Sequence, residues 1–221
     1  MNATYSIARR AVLLPATALF GSYLLSGCAP LLVGGAVIGG TLVATGRRTS
    51  GALLEDEGIE LRSINRIREA LQDRVHVNVT SYNRQVLLTG EVPSDADKQR
   101  VQEIVSRVEN VRSIVNELAL LGNSTLTSRS SDALVTGRVK AAMVDAKDLY
   151  ANAFKVITER GTTYLMGRVT QREAGHATDI ARTTPGVQRV VRVFEIISEE
   201  ELQRLLPQPA KPGTTQAPAN Q

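Results

Sequence analysis

The sequence predicts an α+β protein made of two tandem αββαβ domains, each with two helices packed on a three-stranded mixed sheet. Two observations carry this expectation. Residues 56–121 and 131–198 repeat one order of hydrophobic patterns, and Gly90 and Gly167 recur at corresponding strand ends. Composition supplies a third. The chain has 221 residues, 43% hydrophobic but only 4% aromatic and without Trp, which suits two small aliphatic cores.

The elements follow in order. In the first copy an amphipathic helix carries Leu61, Ile64, Ile67 and Leu71, near the 3.6-residue period. A strand alternates Val75, Val77 and Val79 with His76, Asn78 and Thr80, and Tyr82-Asn83-Arg84 turns into a second strand, Val86 to Val92. Ser94 and Asp97 form a helix-start signature ahead of Val101, Ile104, Val105 and Val108, a continuous apolar stripe. The last strand covers Val111 to Leu118.

The second copy repeats this order. Asp132 is expected to cap a helix through about Asp145, with Val135, Val139, Ala142 and Met143 inward. A strand around Val156-Ile157-Thr158, a turn at Glu159-Arg160-Gly161 and a strand from Thr163 to Val169 follow. Thr170 and Glu173 form a capping box for a helix with Ala174, Ala177, Ile180 and Ala181. Pro185-Gly186 ends it, and Val187 to Ile196 is the final strand. Gly90 and Gly167 are expected where a side chain would crowd neighbouring backbone.

Outside the repeats the chain reads differently. Residues 1–27 have the layout of a secretory signal, with Arg9-Arg10 before an apolar run from Ala11 to Leu25 that is short for a membrane span. Leu25-Ser26-Gly27-Cys28 resembles a bacterial lipobox, so Cys28, the only cysteine, is the expected lipidation site. Two lipid attachments, on thiol and amine, give stable anchoring where one acyl chain is marginal. Ala29, rather than Asp, favours the outer membrane by resemblance to enterobacterial lipoprotein sorting. Residues 28–55 then read as the lipidated Cys and a Gly-rich tether. Within it, Leu31 to Gly46 is either a flexible linker or a membrane-hugging segment with a Gly35/Gly39 pair. Arg47-Arg48 follow Gly46 where a phosphate loop would need Lys-Ser/Thr. Residues 122–130 form a short Ser/Thr-rich linker that leaves the domains in contact. Residues 199–221 form a tail, expected to be disordered from about 207 by its prolines.

Function classes narrow quickly. One Cys and two His exclude a Cys-based zinc site and leave little for a His-based relay. His76 fits a half-exposed polar strand face, and His176 fits a solvated helix near Arg172 and Asp179. No nucleophile elbow is present, and Asp95 and Asp97 sit at a helix start where the dipole explains them. No enzyme activity and no cofactor are expected. With 26 basic and 22 acidic residues the charge is too balanced for a nucleic-acid binder.

The repeats resemble the BON domain of bacterial periplasmic and membrane-associated proteins. The likeness rests on Gly90-x-Val92 and Gly167-x-Val169, on Asn110-Val111 and Val115-Asn116, and on Gly186-Val187 and Val190, within residues 57–198. It implies a non-enzymatic lipoprotein facing the periplasm that binds anionic phospholipid through its second domain and supports envelope integrity. Charge points to the same domain independently. Residues 56–121 hold nine basic and eleven acidic side chains, a net −2, whereas 131–198 hold ten and seven, a net +3. On the first helix of the second copy, Leu134 and Val144 fall toward the outer edge beside Arg138 and Lys140, as in an interfacial helix. Related proteins place a Trp at Leu134, so this chain lacks that amphipathic ring. The expected partner is an anionic phospholipid membrane; a protein of the envelope or division machinery docking on the same helix is the alternative.

Overall fold

A computed structural model describes residues 47–122 and 125–205, so Cys28, the stretch 31–46 and the tail from 207 lie outside the described residues. The described chain belongs to one compact unit, Gly39–Gln221. The first copy comprises α1 (Ser50–Leu71), β1 (His76–Tyr82), β2 (Gln85–Val92), α2 (Asp95–Ser106), β3 (Ser113–Asn116) and β4 (Ala119–Leu120). The second comprises α3 (Leu126–Asp145), β5 (Phe154–Glu159), β6 (Thr162–Val169), α4 (Gln171–Thr183) and β7 (Arg189–Ile196), followed by α5 (Glu199–Leu205). The α+β class with two tandem repeats is therefore observed.

In each copy the second strand is central. β1 runs antiparallel and β3 parallel to β2, as β5 and β7 do to β6. The first copy departs from expectation at its last strand. That strand splits at Leu118, which is buried and bonds its N–H to Asn116 Oδ1, and β4 then rejoins β2 as a fourth strand.

The central strands are buried on both faces, and each face has its own partner. Val86, Leu88 and Val92 of β2 pack under Ile59, Ile67, Val101 and Val105 of α1 and α2. Leu165 and Val169 of β6 pack under Val135, Val139, Met143, Ala177 and Ala181 of α3 and α4. The opposite sheet faces meet each other. Tyr82 and Leu87 join Tyr164, Met166 and Val193 in a third apolar cluster, so the sheets stack back to back with helices outside. The Tyr82 hydroxyl donates to the Ala153 carbonyl at 2.9 Å, and Lys155–Glu60 (2.6 Å) and Arg189–Glu117 (3.0 Å) tie the rim. The expected contact between the domains is thus a shared core.

Both first helices start earlier than expected. α1 begins at Ser50, capped by the Thr49 hydroxyl, inside the span read as tether. α3 begins at Leu126, capped by Thr125, six residues before the expected cap Asp132. Asp132 does a different job: its buried carboxylate accepts the backbone N–H groups of Arg160 (2.7 Å) and Gly161 (2.9 Å) in the hairpin turn. Asp56 does the same for Asn83 and Arg84, both at 2.8 Å. Each copy thus pins its hairpin turn to its first helix through a buried aspartate. This pinning sets the helix phase. In α1 the inward positions are Asp56, Ile59, Ser63, Ile67 and Leu71, while Leu61, expected in the core, is 62% exposed. Two polar residues in the buried stripe disguised its register.

The recurring glycines sit at close backbone approaches. A Cβ on Gly90, whose φ is +109°, would lie 2.1 Å from the His76 carbonyl oxygen; one on Gly167 would lie 2.7 Å from that of Ala153. Gly167→Ala is expected to destabilise the unit by about 1–3 kcal/mol in denaturant unfolding. A variant that unfolds with the wild type would show that the Ala153 turn yields freely.

Candidate functional site

The outer face of α3 is its uncovered side. Val135, Val139 and Met143 point into the core, each at most 4% exposed, alongside Asp132. At about 100° per residue, Leu126, Ser130, Leu134, Gly137, Ala141 and Val144 form one stripe facing away from them. All six are exposed: Leu126 is 80% exposed, Leu134 65% and Val144 70%. Arg138 and Lys140 lie roughly 200° apart on the same helix, so they flank the stripe on opposite sides. Both are exposed, and neither pairs with a carboxylate among the described residues; Arg138 only reaches the Pro185 carbonyl at 3.4 Å. A groove of about 790 Å³ runs along the Arg138 side, with Ser128, Ser131, Arg160 and Gln188 also in its wall. The arrangement offers apolar side chains to a hydrocarbon edge and guanidinium and ammonium groups to phosphates beside it.

The four residues singled out from sequence therefore share one surface. Leu126, Gly137 and Ala141 belong to it as well: starting the helix at Asp132 cuts off the turn that holds Leu126, and Gly137 and Ala141 carry too little apolar surface to mark the stripe. The four-residue spacing running back from Leu134 through Ser130 is the signal that finds Leu126.

The duplication provides an internal comparison. The buried aspartates align α1 with α3, and Asp56, Ile59, Ser63 and Ile67 then coincide with the buried Asp132, Val135, Val139 and Met143. On this alignment Gly58 stands for Leu134 and Arg68 for Val144. α1 carries five acidic and three basic residues against two and three on α3. Its Arg62 is also tied to Glu55 at 2.6 Å. On this alignment Leu54 and Leu61, 70% and 62% exposed, stand for Ser130 and Gly137, so the first copy also shows two leucines on this face and what it lacks is the cationic balance.

Other titratable groups serve the architecture. His76, expected on a half-exposed face, bonds through Nδ1 to Glu91 Oε2 at 2.8 Å, and Glu91 is fully buried. Arg160 approaches the same carboxylate at 3.6 Å from the second copy. Burial raises the Glu159 carboxyl above its usual range despite its 2.5 Å bond from Asn78. His176 pairs with Asp148 at 3.3 Å rather than with Asp179. Arg47 crosses to the second copy, where its guanidinium holds both Glu173 oxygens at 2.6 and 2.5 Å and the Arg168 carbonyl at 3.0 Å. The capping box between Thr170 and Glu173 forms as expected. Among the described residues no group of three His, Cys, Asp or Glu side chains could hold a metal ion, and no helix is long and apolar enough to cross a membrane.

Duplicated αββαβ units, each with a central strand buried on both faces, define the class. The family model of the BON domain matches residues 56–122 and 131–198, and the chain belongs to the BON domain family. It is 35% identical over 175 residues to the outer membrane lipoprotein DolP of Haemophilus influenzae, spanning 78% of this chain and 90% of that protein. It is also 29% identical over 152 residues to a 21 kDa hemolysin of Actinobacillus pleuropneumoniae, spanning 68% and 78%. A solved structure of CdsD, a structural protein of the Chlamydia trachomatis type III secretion system, aligns with 64% of this chain at 14% identity and a TM-score of 0.27.

Proposed function

We propose that this protein is anchored to the outer membrane through Cys28, faces the periplasm and binds anionic phospholipid through α3, thereby supporting outer-membrane integrity. The observation that carries the reading is the exposed stripe of Leu134 and Val144 flanked by the carboxylate-free cations Arg138 and Lys140. The named outer membrane lipoprotein among its relatives supports the location.

The test is flotation of the compact unit Gly39–Gln221 with vesicles that contain or lack anionic lipid. Both domains are needed, since the second alone would expose Tyr164, Met166 and Val193. The unit should float only with anionic vesicles. A docking adaptor for envelope proteins would ignore them, and that outcome would transfer the helix to the alternative reading. Cation contacts weaken as added salt shortens the Debye length from ~10 Å at 0.1 M to ~3 Å at 1 M. Arg138→Gln combined with Lys140→Gln should therefore flatten the salt dependence of flotation, each cation being worth about 1 kcal/mol near an anionic surface.

Anchoring has its own test. Cys28→Ser removes the thiol that would carry the diacylglyceryl group. The variant should stay as unlipidated precursor and leave the membrane fraction in a high-salt wash. Retention after that wash would refute anchoring through Cys28.

A further inference from the structure

Duplication makes the two ends of the interface between the copies comparable. Setting Gly90 against Gly167 places Tyr82 opposite Glu159, His76 opposite Ala153 and Glu91 opposite Arg168. At one end Tyr82 crosses to the second copy and donates its hydroxyl to the Ala153 carbonyl at 2.9 Å. Arg168 meets Glu195 there at 3.3 Å and Glu201 at 2.6 Å, and Glu195 also accepts a bond from Asn83 of the first copy at 2.7 Å. At the other end Glu159 crosses to the first copy and accepts a bond from the Asn78 amide at 2.5 Å. His76 and Glu91 of the first copy are 2.8 Å apart, and Arg160, next to Glu159, approaches Glu91 at 3.6 Å.

Charge separates the two ends. The Glu159 corner gathers His76 and Asn78 of β1, Glu91 of β2, Arg160 of the β5–β6 turn and Asp132 of α3. Tyr164 of β6 and the Glu117–Arg189 pair, 3.0 Å apart, lie along its rim. That pair neutralises itself, which leaves the carboxylates of Glu91, Glu159 and Asp132 around the Arg160 guanidinium. Glu91 is fully buried and Glu159 half-buried, so water screens their repulsion poorly. Burial is the largest influence raising the Glu159 carboxyl; the Asn78 bond and His76 oppose it, and the Glu91 and Asp132 charges reinforce it. The equivalent position at the other end is Tyr82, whose phenol keeps its proton through neutral pH.

We propose that Glu159 is a proton-operated latch between the two copies: protonated, it closes the corner against Asn78, and as a carboxylate it loosens the corner by repelling Glu91 and Asp132. A carboxyl held above its unfolded value contributes stability that is complete below that value, about 4.3, and is lost as pH rises through the folded value. The corner is therefore tight in mild acid and looser toward alkaline pH. Asp132 ties the same turn to α3 through the Arg160 and Gly161 N–H groups, so the latch sets how firmly the first copy and α3 move together.

The test is hydrogen exchange of the unit Gly39–Gln221 at about pH 5 and about pH 8, corrected for the intrinsic effect of pH on exchange. The Arg160 and Gly161 amides should lose protection at the higher pH. The equivalent Asn83 and Arg84 amides, held by Asp56, should keep theirs. Glu159→Gln retains a carbonyl oxygen for Asn78 and removes the charge, so it should leave the turn equally protected at both values. Equal protection at both values in the wild type would overturn the latch. A loss that persists in Glu159→Gln would overturn it too, because another group would then be titrating. An equal loss at Asn83 and Arg84 would mean loosening of the whole unit and would also count against it. In denaturant, Glu159→Gln should unfold at a higher midpoint than the wild type at about pH 8, with the gap narrowing at about pH 5. A variant less stable than the wild type at the higher pH would show that the carboxylate strengthens the corner, and would refute the proposal.

Discussion

Leu134→Glu should abolish binding of the two-domain unit to anionic vesicles at every ionic strength. Burying a leucine in hydrocarbon is worth roughly 1.5–3 kcal/mol, and that gain does not fade with salt. Glutamate removes it and sets a carboxylate against a surface of the same sign. Folding is spared because Leu134 is 65% exposed and the core side of α3 belongs to Val135, Val139 and Met143. Exposed substitutions of this kind usually shift stability by less than about 0.5 kcal/mol. The measurement is flotation in low and high salt, with thermal unfolding as the control for folding. Wild-type flotation by a variant with wild-type melting would remove Leu134 from the site. The contrast with the Arg138 and Lys140 substitutions is diagnostic, since those should change the salt slope and leave a salt-resistant remainder.

Arg47→Ala should destabilise the folded unit by about 3–5 kcal/mol, the usual consequence of stranding one partner of a buried ion pair. Arg47 and Glu173 side chains are 2% and 1% exposed, and the guanidinium grips the carboxylate with two bonds. Burial alone would push the Glu173 carboxyl up, yet the hydrogen bond from Arg47, the backbone N–H of Thr170 and the Arg47 charge together hold it below its usual range. A depressed carboxyl contributes its full stability above the ordinary value of about 4.3 and loses it as pH falls through the lowered value. The wild type should therefore lose stability on acidification below about pH 4, and the variant should show less of that loss. Removing Glu173 as well should recover part of the deficit, so the double-mutant cycle should show strong coupling. Additive losses would mean that the two side chains do not depend on each other.

The same pair shows how far sequence reading reaches. Glu173 was recognisable as a capping-box residue because its hydroxyl partner stands three positions away. Its second partner stands 126 residues away, and nothing local in Arg47-Arg48 announces it. The repeat order, both strand-end glycines and the Ser94 cap were legible for the same reason: they are set by spacing within a few residues. The phase of α1 was not, because its buried face includes Asp56 and Ser63, chosen for the hairpin turn and the core shape rather than for hydrophobic contrast. On α3 the outward positions of Leu134 and Val144 follow from where Val135 and Val139 must point. The missing first turn followed from giving Asp132 the commonest role of an aspartate near a helix start.

The back-to-back sheets change what counts as a module. A duplicated domain normally remains exchangeable: either copy can be lost, moved or repeated. Here each copy has given its second sheet face to its sibling, and Leu87 and Met166 are fully enclosed by that exchange. A truncation within either copy would leave a flat apolar sheet open to the solvent, ready to pair with any similar surface. Natural fragments of this chain are therefore expected to be sticky and short-lived, and the pair to be inherited, expressed and degraded as one.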